Sequence, residues 1–300
     1  MMTPETSDLW KSLSRTLFSN IDDVFIATFR RPGGANSRLA TWDPFDKTMR
    51  YFKFMLYTAA ERQPDRFFAL YRALGRGDIG QPVSVKVRSC EINIDYLFAL
   101  EEFFFLESTI KLDTVKTIVE IGAGFGRTCH TLLALADGIE RYTIVDLPDV
   151  LKLSRRILAE AIPDHVHKVH FVDAADTNVW QNVAADLAIN IDSFQEMPPT
   201  TIDAFMNGLV TQCRHFYVKN PVAKYDPKCI GLVIEDSSKF KDVFSLGYCR
   251  DIIDIFDDTA LATARKAYLR AYRPTPSWRL LADRPMDMFP YLHHALFRSK

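Results

Sequence analysis

At 300 residues, with 48% apolar and 25% charged residues, the chain has material for one large domain or two ordinary ones with filled cores. The formal net charge of −1 gives no general attraction to nucleic acid or to an anionic membrane, so neither is expected as a partner. The five cysteines (Cys90, Cys129, Cys213, Cys229, Cys249) are scattered and make no C-x-x-C pair, which points to reduced thiols rather than a disulfide framework or a zinc site. The opening MMTPETSDLWKSL has no apolar signal core, and a cytoplasmic protein is expected. The richest apolar stretch, Tyr96 to Leu106, is broken by Glu101 and Glu102 and is too short to span a bilayer.

Residues 1 to 115 show no strand–helix alternation. Asp8 to Phe18 has helical spacing, and the polar run RRPGGANSRLATWDP reads as a loop in which Asn36, Arg38 and Trp42 are candidates for a lid or a plain surface turn. Phe45 to Leu74 carries a strong helical pattern with a break expected at Pro64. GDIGQP is a turn, Val83 to Val87 a short extended segment, and Ile92 to Glu107 a helix with Leu97, Leu100, Phe104 and Leu106 on its apolar positions. The aromatic residues of this half are expected chiefly to pack.

From Thr117 the alternation is regular. Strands are expected at 118–121, 141–145, 169–172, 187–191 and 215–218, with helices at about 126–136, 151–161 and 200–211. Repeated units of this kind imply a parallel sheet with right-handed crossovers. Asp251 to Ala271 has helical spacing, and Trp278 to Ala282 and His294 to Arg298 are candidate closing strands. This gives an α/β fold in which a helical region (1–115) precedes a sheet domain (116–300).

Thr117 to Ala136 reads TIVEIGAGFGRTCHTLLALA, an apolar strand, a glycine cluster and a helix. Gly122, Gly124 and Gly126 allow a sharp turn and close approach of a ligand to the backbone. The helix beyond presents unpaired N–H groups. A dinucleotide fingerprint places its third glycine sixth; here the glycines stand first, third and fifth, and Arg127 stands sixth. Glu120, two residues before the first glycine, suits a cationic ligand and opposes a pyrophosphate. The pattern Glu-x-Gly-x-Gly-x-Gly resembles the first motif of class I S-adenosylmethionine (SAM) methyltransferases, whose Rossmann-like sheet is parallel with an antiparallel closing strand. A plain strand-to-helix connection is the alternative.

Ligands of open α/β sheets bind at the carboxyl ends of the strands, and three acids fall there. Asp146 closes the second strand, where a carboxylate can accept two ribose hydroxyls. Asp173, followed by Ala174, stands where the resemblance implies contact with the adenine amino group, though a helix N-cap is the alternative. Asp192 closes the fourth strand, near the expected sulfonium and amino-acid end of SAM. With Glu120, Gly122, Gly124 and Gly126, the residues Ala123, Arg127, Asp146, Leu147, Asp173, Ala174, Asp192, Ser193 and Gln195 make up the candidate cofactor set.

More narrowly, VEIGAGFGR (119–127), YTIVDLPDVLKLSRRIL (142–158), NIDSFQEMP (190–198) and FYVKNP (216–221), with IGQP (79–82) as a weaker echo, resemble the bacterial sugar O-methyltransferase family. That resemblance implies methyl transfer to a hydroxyl of a small polar acceptor, a sugar or glycosylated natural product. Glu196 is the first candidate base or acceptor-positioning residue, with a helix N-terminal acid as its alternative. Asp192 and His293 are the other catalytic candidates, and His294 is a neighbour of similar standing. Gln195 is a candidate for the SAM carboxylate end or a substrate hydroxyl, and Lys219 and Asn220 for the acceptor. His165, His167 and His170 lie away from the active edge, His130 reads as packed, His215 begins a strand on the wrong edge, and no metal is expected. Pairing into a homodimer is open. The rival readings are an N- or C-methyltransferase, a nicotinamide oxidoreductase, and a non-catalytic scaffold.

Overall fold

The computed structural model describes Val24 and residues 48–231 and 244–300. The expected helix over Asp8 to Phe18 and the loop with Asn36, Arg38 and Trp42 lie outside these residues. The chain divides after Thr58, and the unit described below is Ala59–Lys300. Helix α1 is Thr48–Glu61 and α2 is Asp65–Leu74, separated at Pro64 as its missing N–H and fixed φ dictate.

A hairpin follows, β1 (Ser84–Val87) and β2 (Cys90–Asn93), paired antiparallel with Val87 opposite Cys90. The second strand is a correction to the sequence reading. Its two-residue turn uses Arg88 and Ser89 at φ +46° and +64°, left-handed values usually signalled by Asn or Gly. Helix α3 (Ile94–Thr109) starts where the Asn93 side chain accepts from the Tyr96 N–H.

The main sheet has seven strands: β3 (Thr117–Ile121), β4 (Arg141–Asp146), β5 (Val169–Asp173), β6 (Leu187–Ile191), β7 (His215–Pro221), β10 (Arg279–Pro285) and β11 (Leu292–Arg298). A small parallel pair, β8 (Lys224–Tyr225) with β9 (Ile252–Ile253), stands apart from it. The order across the large sheet is β10-β11-β7-β6-β3-β4-β5. Strands β3 to β7 run parallel, and β11 joins β7 antiparallel. This is the Rossmann-like arrangement with an antiparallel closing strand. Helices α4 (Arg127–Leu135) and α5 (Pro148–Ala161) make the first crossovers; the four-residue α6 (Thr177–Trp180) and α7 (Pro199–Gly208) follow. Helix α8 (Asp258–Ala271) is capped by Asp257, so the helical reading of 251–271 holds only from 258 onward.

The central strands of the sheet are buried on both faces. Ile118, Leu187, Ile189 and Ile191 pack with Phe103, Phe105, Leu132, Tyr142 and Leu158 on one side. Val119, Ile121 and Ala188 pack with Trp180, Phe194, Phe205, Tyr268 and Tyr272 on the other. This two-sided burial is why the strands read as continuous apolar runs. Strand order reverses between β3 and β6, and it is at the carboxyl ends of such a pair that open α/β sheets form their ligand crevice.

Ile189 has no exposed surface in the central strand β6. Ile189→Ala should lower the unfolding free energy by roughly 2–5 kcal/mol, read from the denaturant midpoint at unchanged slope.

Candidate functional site

The turn after β3 is built on three left-handed glycines, at φ +73°, +59° and +93° for Gly122, Gly124 and Gly126. A Cβ on Gly122 would lie 2.2 Å from the Ser193 Oγ, so the loops after β3 and β6 touch only because no side chain intervenes. Over Gly124 a Cβ would meet nothing within 4 Å, which leaves that backbone open to a ligand.

Asp146 ties this turn to the end of β4. Its Oδ2 accepts from the Gly124 N–H at 3.0 Å and its Oδ1 from the Leu147 N–H at 2.8 Å. Burial pushes its carboxyl above the usual range, against the pull of these backbone donors. Leu147 beside it is exposed and offers apolar surface. Asp173 stands opposite Asp146 in register. It does not cap a helix: its Oδ1 accepts from the Ala175 N–H, and Asp176 caps α6. The Trp180 indole N–H donates to the Ala174 carbonyl at 3.0 Å, while the Ala174 N–H donates to the Asp146 carbonyl. Trp180 thus fixes the loop after β5, a role that spacing alone does not signal.

Asp192 ends β6 at φ +58°, a conformation that few non-glycine residues adopt. Its Oδ2 lies 3.2 Å from the Lys219 Nζ, and its Oδ1 is buried without a hydrogen-bond partner among the described residues. Lys219 is fully buried, and its Nζ donates to the Glu102 Oε1 at 2.8 Å. The same oxygen accepts from Arg127 at 2.9 Å, and a second Arg127 nitrogen donates to the Asp95 carbonyl. Burial opposes ionisation of Glu102, yet Arg127 and Lys219 together hold its carboxyl below the usual range. A chain Arg127–Glu102–Lys219–Asp192 therefore runs from α4 through α3 to the ends of β7 and β6.

Several expectations change here. Lys219 and Asn220, candidates for the acceptor, lie inside β7 and are fully buried. The Asn220 side chain donates to Asn190 and accepts from the Gln195 N–H. Asn190 in turn donates to the Ile121 carbonyl and the Ser193 Oγ. Arg127 turns inward to Glu102. Glu120 lies beneath the turn, fully buried, accepting from the Tyr142 hydroxyl at 2.6 Å. Burial pushes its carboxyl up to about 7, with hydrogen bonds from Tyr142 and Thr128 opposing. His293 is buried, its Nε2 paired with Asp283 at 2.8 Å, and burial pushes its imidazole down. His294 pairs through Nδ1 with the Tyr217 hydroxyl, on the side of Phe105. Among the described residues no group of three or more His, Cys, Asp or Glu is arranged to hold a metal ion.

A cavity of about 430 Å³ opens beside Asp192 and Gln195, bounded also by Pro221, Lys224, Tyr225, Phe244 and Tyr291. His293 does not line it, although its neighbours Tyr291 and Leu292 do. Glu196 closes a short 3₁₀ turn (Phe194–Glu196) next to this wall; its side chain is exposed, and it precedes rather than joins the first turn of α7.

No family model matches the sequence, and no curated protein matches it. Solved structures do. The mitomycin 7-O-methyltransferase MmcR is similar at 14% identity and TM-score 0.43, over 69% of this chain and 56% of that one. The glycopeptide N-methyltransferase MtfA, complexed with sinefungin, is similar at 14% identity and TM-score 0.43, over 79% of this chain and 98% of that one. An O-methyltransferase family 2 protein from Planctomyces limnophilus, in complex with apigenin, gives 14%, 0.42, 62% and 51%. The chain spans about half the length of the first and third of these. Likenesses of this size assign no activity, substrate or partner to this chain.

Two outcomes follow from the buried charges. Glu102→Leu should cost roughly 3–5 kcal/mol of stability in denaturant titration, because Lys219 and Arg127 lose their shared carboxylate. Glu160→Ala, at the exposed pair with Arg76, should cost less than about 1 kcal/mol. Glu120 holds a proton in the folded chain up to about 7, against 4.5 as its ordinary value. Between those values the folded state binds more protons, so this group's contribution to stability falls as pH rises and levels off above. His130, His215 and His293, all pushed down by burial, act in the opposite sense. The comparison with Glu120→Gln isolates the carboxyl: from about pH 5 to about pH 8 the wild-type chain should lose stability relative to the variant in urea melts.

Proposed function

We propose that this chain is a SAM-dependent O-methyltransferase that methylates a hydroxyl of a small polar metabolite, a sugar or a glycosylated natural product. The observation that carries the reading is the crevice where strand order reverses. There the loop after β3 offers an open Gly124 backbone fastened to Asp146, and the loop after β6 offers a left-handed Asp192 with a buried oxygen that has no hydrogen-bond partner among the described residues.

These residues suit the cofactor's chemistry. Gly122 to Gly126 and the first amides of α4 would approach its amino-acid end. The remaining lone pairs of Asp146 would accept from ribose hydroxyls, with Leu147 against the adenine face, and Asp173 and Ala174 would border the adenine edge. Ser193 and Gln195 close the crevice from the β6 side. SAM, when bound, supplies a methyl group activated by a sulfonium. The chain's own task is then to orient an acceptor on the methyl axis and exclude water, an effect of up to roughly 7–11 kcal/mol. Asp192 is the best placed of the three catalytic candidates. Its carboxylate takes the proton that the acceptor hydroxyl loses as its oxygen gains the methyl, and releases it to water. Glu196, exposed and next in sequence to the lining residue Gln195, is the second candidate; His293, buried on Asp283, comes last. In the same reading, residues 116–300 are the SAM domain, residues 1–115 serve acceptor binding or pairing of two copies, and the setting is cytoplasmic.

The alternative acceptors are nitrogen or carbon, and a nicotinamide oxidoreductase stands further off because Arg127 holds the sixth place of the turn. Calorimetry with S-adenosylhomocysteine tests the cofactor. Wild-type chain should bind it, and Asp146→Ala should weaken binding by roughly 10- to 100-fold, the loss of charged hydrogen bonds. Binding of NAD in its stead would overturn the reading. Labelled SAM with hydroxyl, amine and carbon acceptors, followed by mass spectrometry, identifies the atom methylated.

A further inference from the structure

Two lysines are buried near the carboxyl ends of the central strands, and they differ in their partners. Lys219 has both Glu102 and Asp192. Lys224, in β8, is 8% exposed, and among the described residues its Nζ donates only to the Gln195 carbonyl, at 3.1 Å. Among the described residues no carboxylate lies within ion-pair distance of it. An ammonium carries three donors, so among the described residues two of them have no protein acceptor. Leaving such a group buried and half-satisfied is costly.

Its surroundings limit what can complete it. Lys224 lines the 430 Å³ cavity with Asp192, Gln195, Tyr225, Phe244 and Tyr291. The Tyr225 and Phe244 rings meet edge to face, with centroids 6.2 Å apart at 73°, and form an aromatic corner in the wall of the same cavity. Among the described residues, the other ionisable groups that act on Lys224 are the Cys249 thiol, pushed up to about 12 by burial and hence neutral, and the Glu196 carboxylate, which is exposed. The backbone of Lys224 is pinned, its N–H donating to the Asp251 carbonyl at 2.8 Å, so the ammonium cannot leave by strand movement without breaking that pairing. The cavity thus offers a cation and flat apolar walls, with Asp192 as a proton acceptor among its lining residues.

We propose that Lys224 is the specificity-determining residue of this cavity, and that the acceptor is a hydroxy acid whose carboxylate is bound by the Lys224 ammonium while its apolar face lies on Tyr225 and Phe244. This rests on the methyl-transfer reading for the fate of the hydroxyl, but the binding claim does not need it. A carboxylate of this kind belongs either to a hydroxyaromatic acid or to a uronic acid, and the test separates them.

The full chain is titrated calorimetrically with 4-hydroxybenzoate and with its neutral amide, and with glucuronate and with neutral methyl glucoside, in the presence and absence of S-adenosylhomocysteine. At least one acid should bind about tenfold or more tightly than its neutral counterpart, as a charged hydrogen bond requires. Which acid does so identifies the acceptor class. Lys224→Met should bring the pair to parity while leaving S-adenosylhomocysteine affinity unchanged, and Lys224→Arg should keep the preference. Equal binding of acids and neutral partners, no binding of either acid, or a preference that survives Lys224→Met would overturn the proposal. The wild-type comparison decides even if a variant fails to fold. A wild-type chain that ignores S-adenosylhomocysteine yet prefers the acid would sink the methyltransferase reading and leave this one standing.

Discussion

The site depends on a lysine that has no contact with water. Lys219 is held at the end of β7 by two carboxylates, one from α3 and one from the loop after β6. A lone buried ammonium would be several kilocalories per mole out of balance, so removing either acid shifts the strain onto the rest. The pairing binds α3 to the sheet, turns Arg127 away from the glycine loop, and holds one oxygen of Asp192 while the other stays free. Apolar packing on the two faces of the sheet supplies the stability of the fold; the buried charges decide where its polar atoms point.

The parts legible in the sequence were those with a short-range physical signature. The central parallel strands announce themselves as apolar runs because both of their faces are covered. The glycine turn was visible because three left-handed positions demand three glycines. Pro64 marked a helix break because it lacks a donor. The acids closing β4, β5 and β6 were visible because a carboxylate after an apolar run is conspicuous, and the topology then brings them to one rim.

What stayed hidden depends on long-range contact. Glu102 sits in an apolar helix and reads as an interruption; only its meeting with Lys219, 117 positions away, gives it a role. Glu120 has the right spacing for the rim, but strand alternation turns it inward to Tyr142. Trp180 and Lys224 lie in segments with no periodicity to interpret. Nothing in the sequence marks the Arg88–Ser89 turn, because side-chain identity usually betrays a left-handed turn, and here it does not.

The backbone at Asp192 carries a separate consequence. A left-handed φ of +58° is adopted most readily by glycine, asparagine and aspartate. The position therefore has a narrow alphabet before any chemistry is considered. Within it, asparagine keeps the shape and discards the charge, while glycine keeps only the turn. Geometry and acidity can thus be separated at a single residue, and a descendant of this protein that gave up proton transfer while preserving its architecture would be expected to carry one of those two letters here.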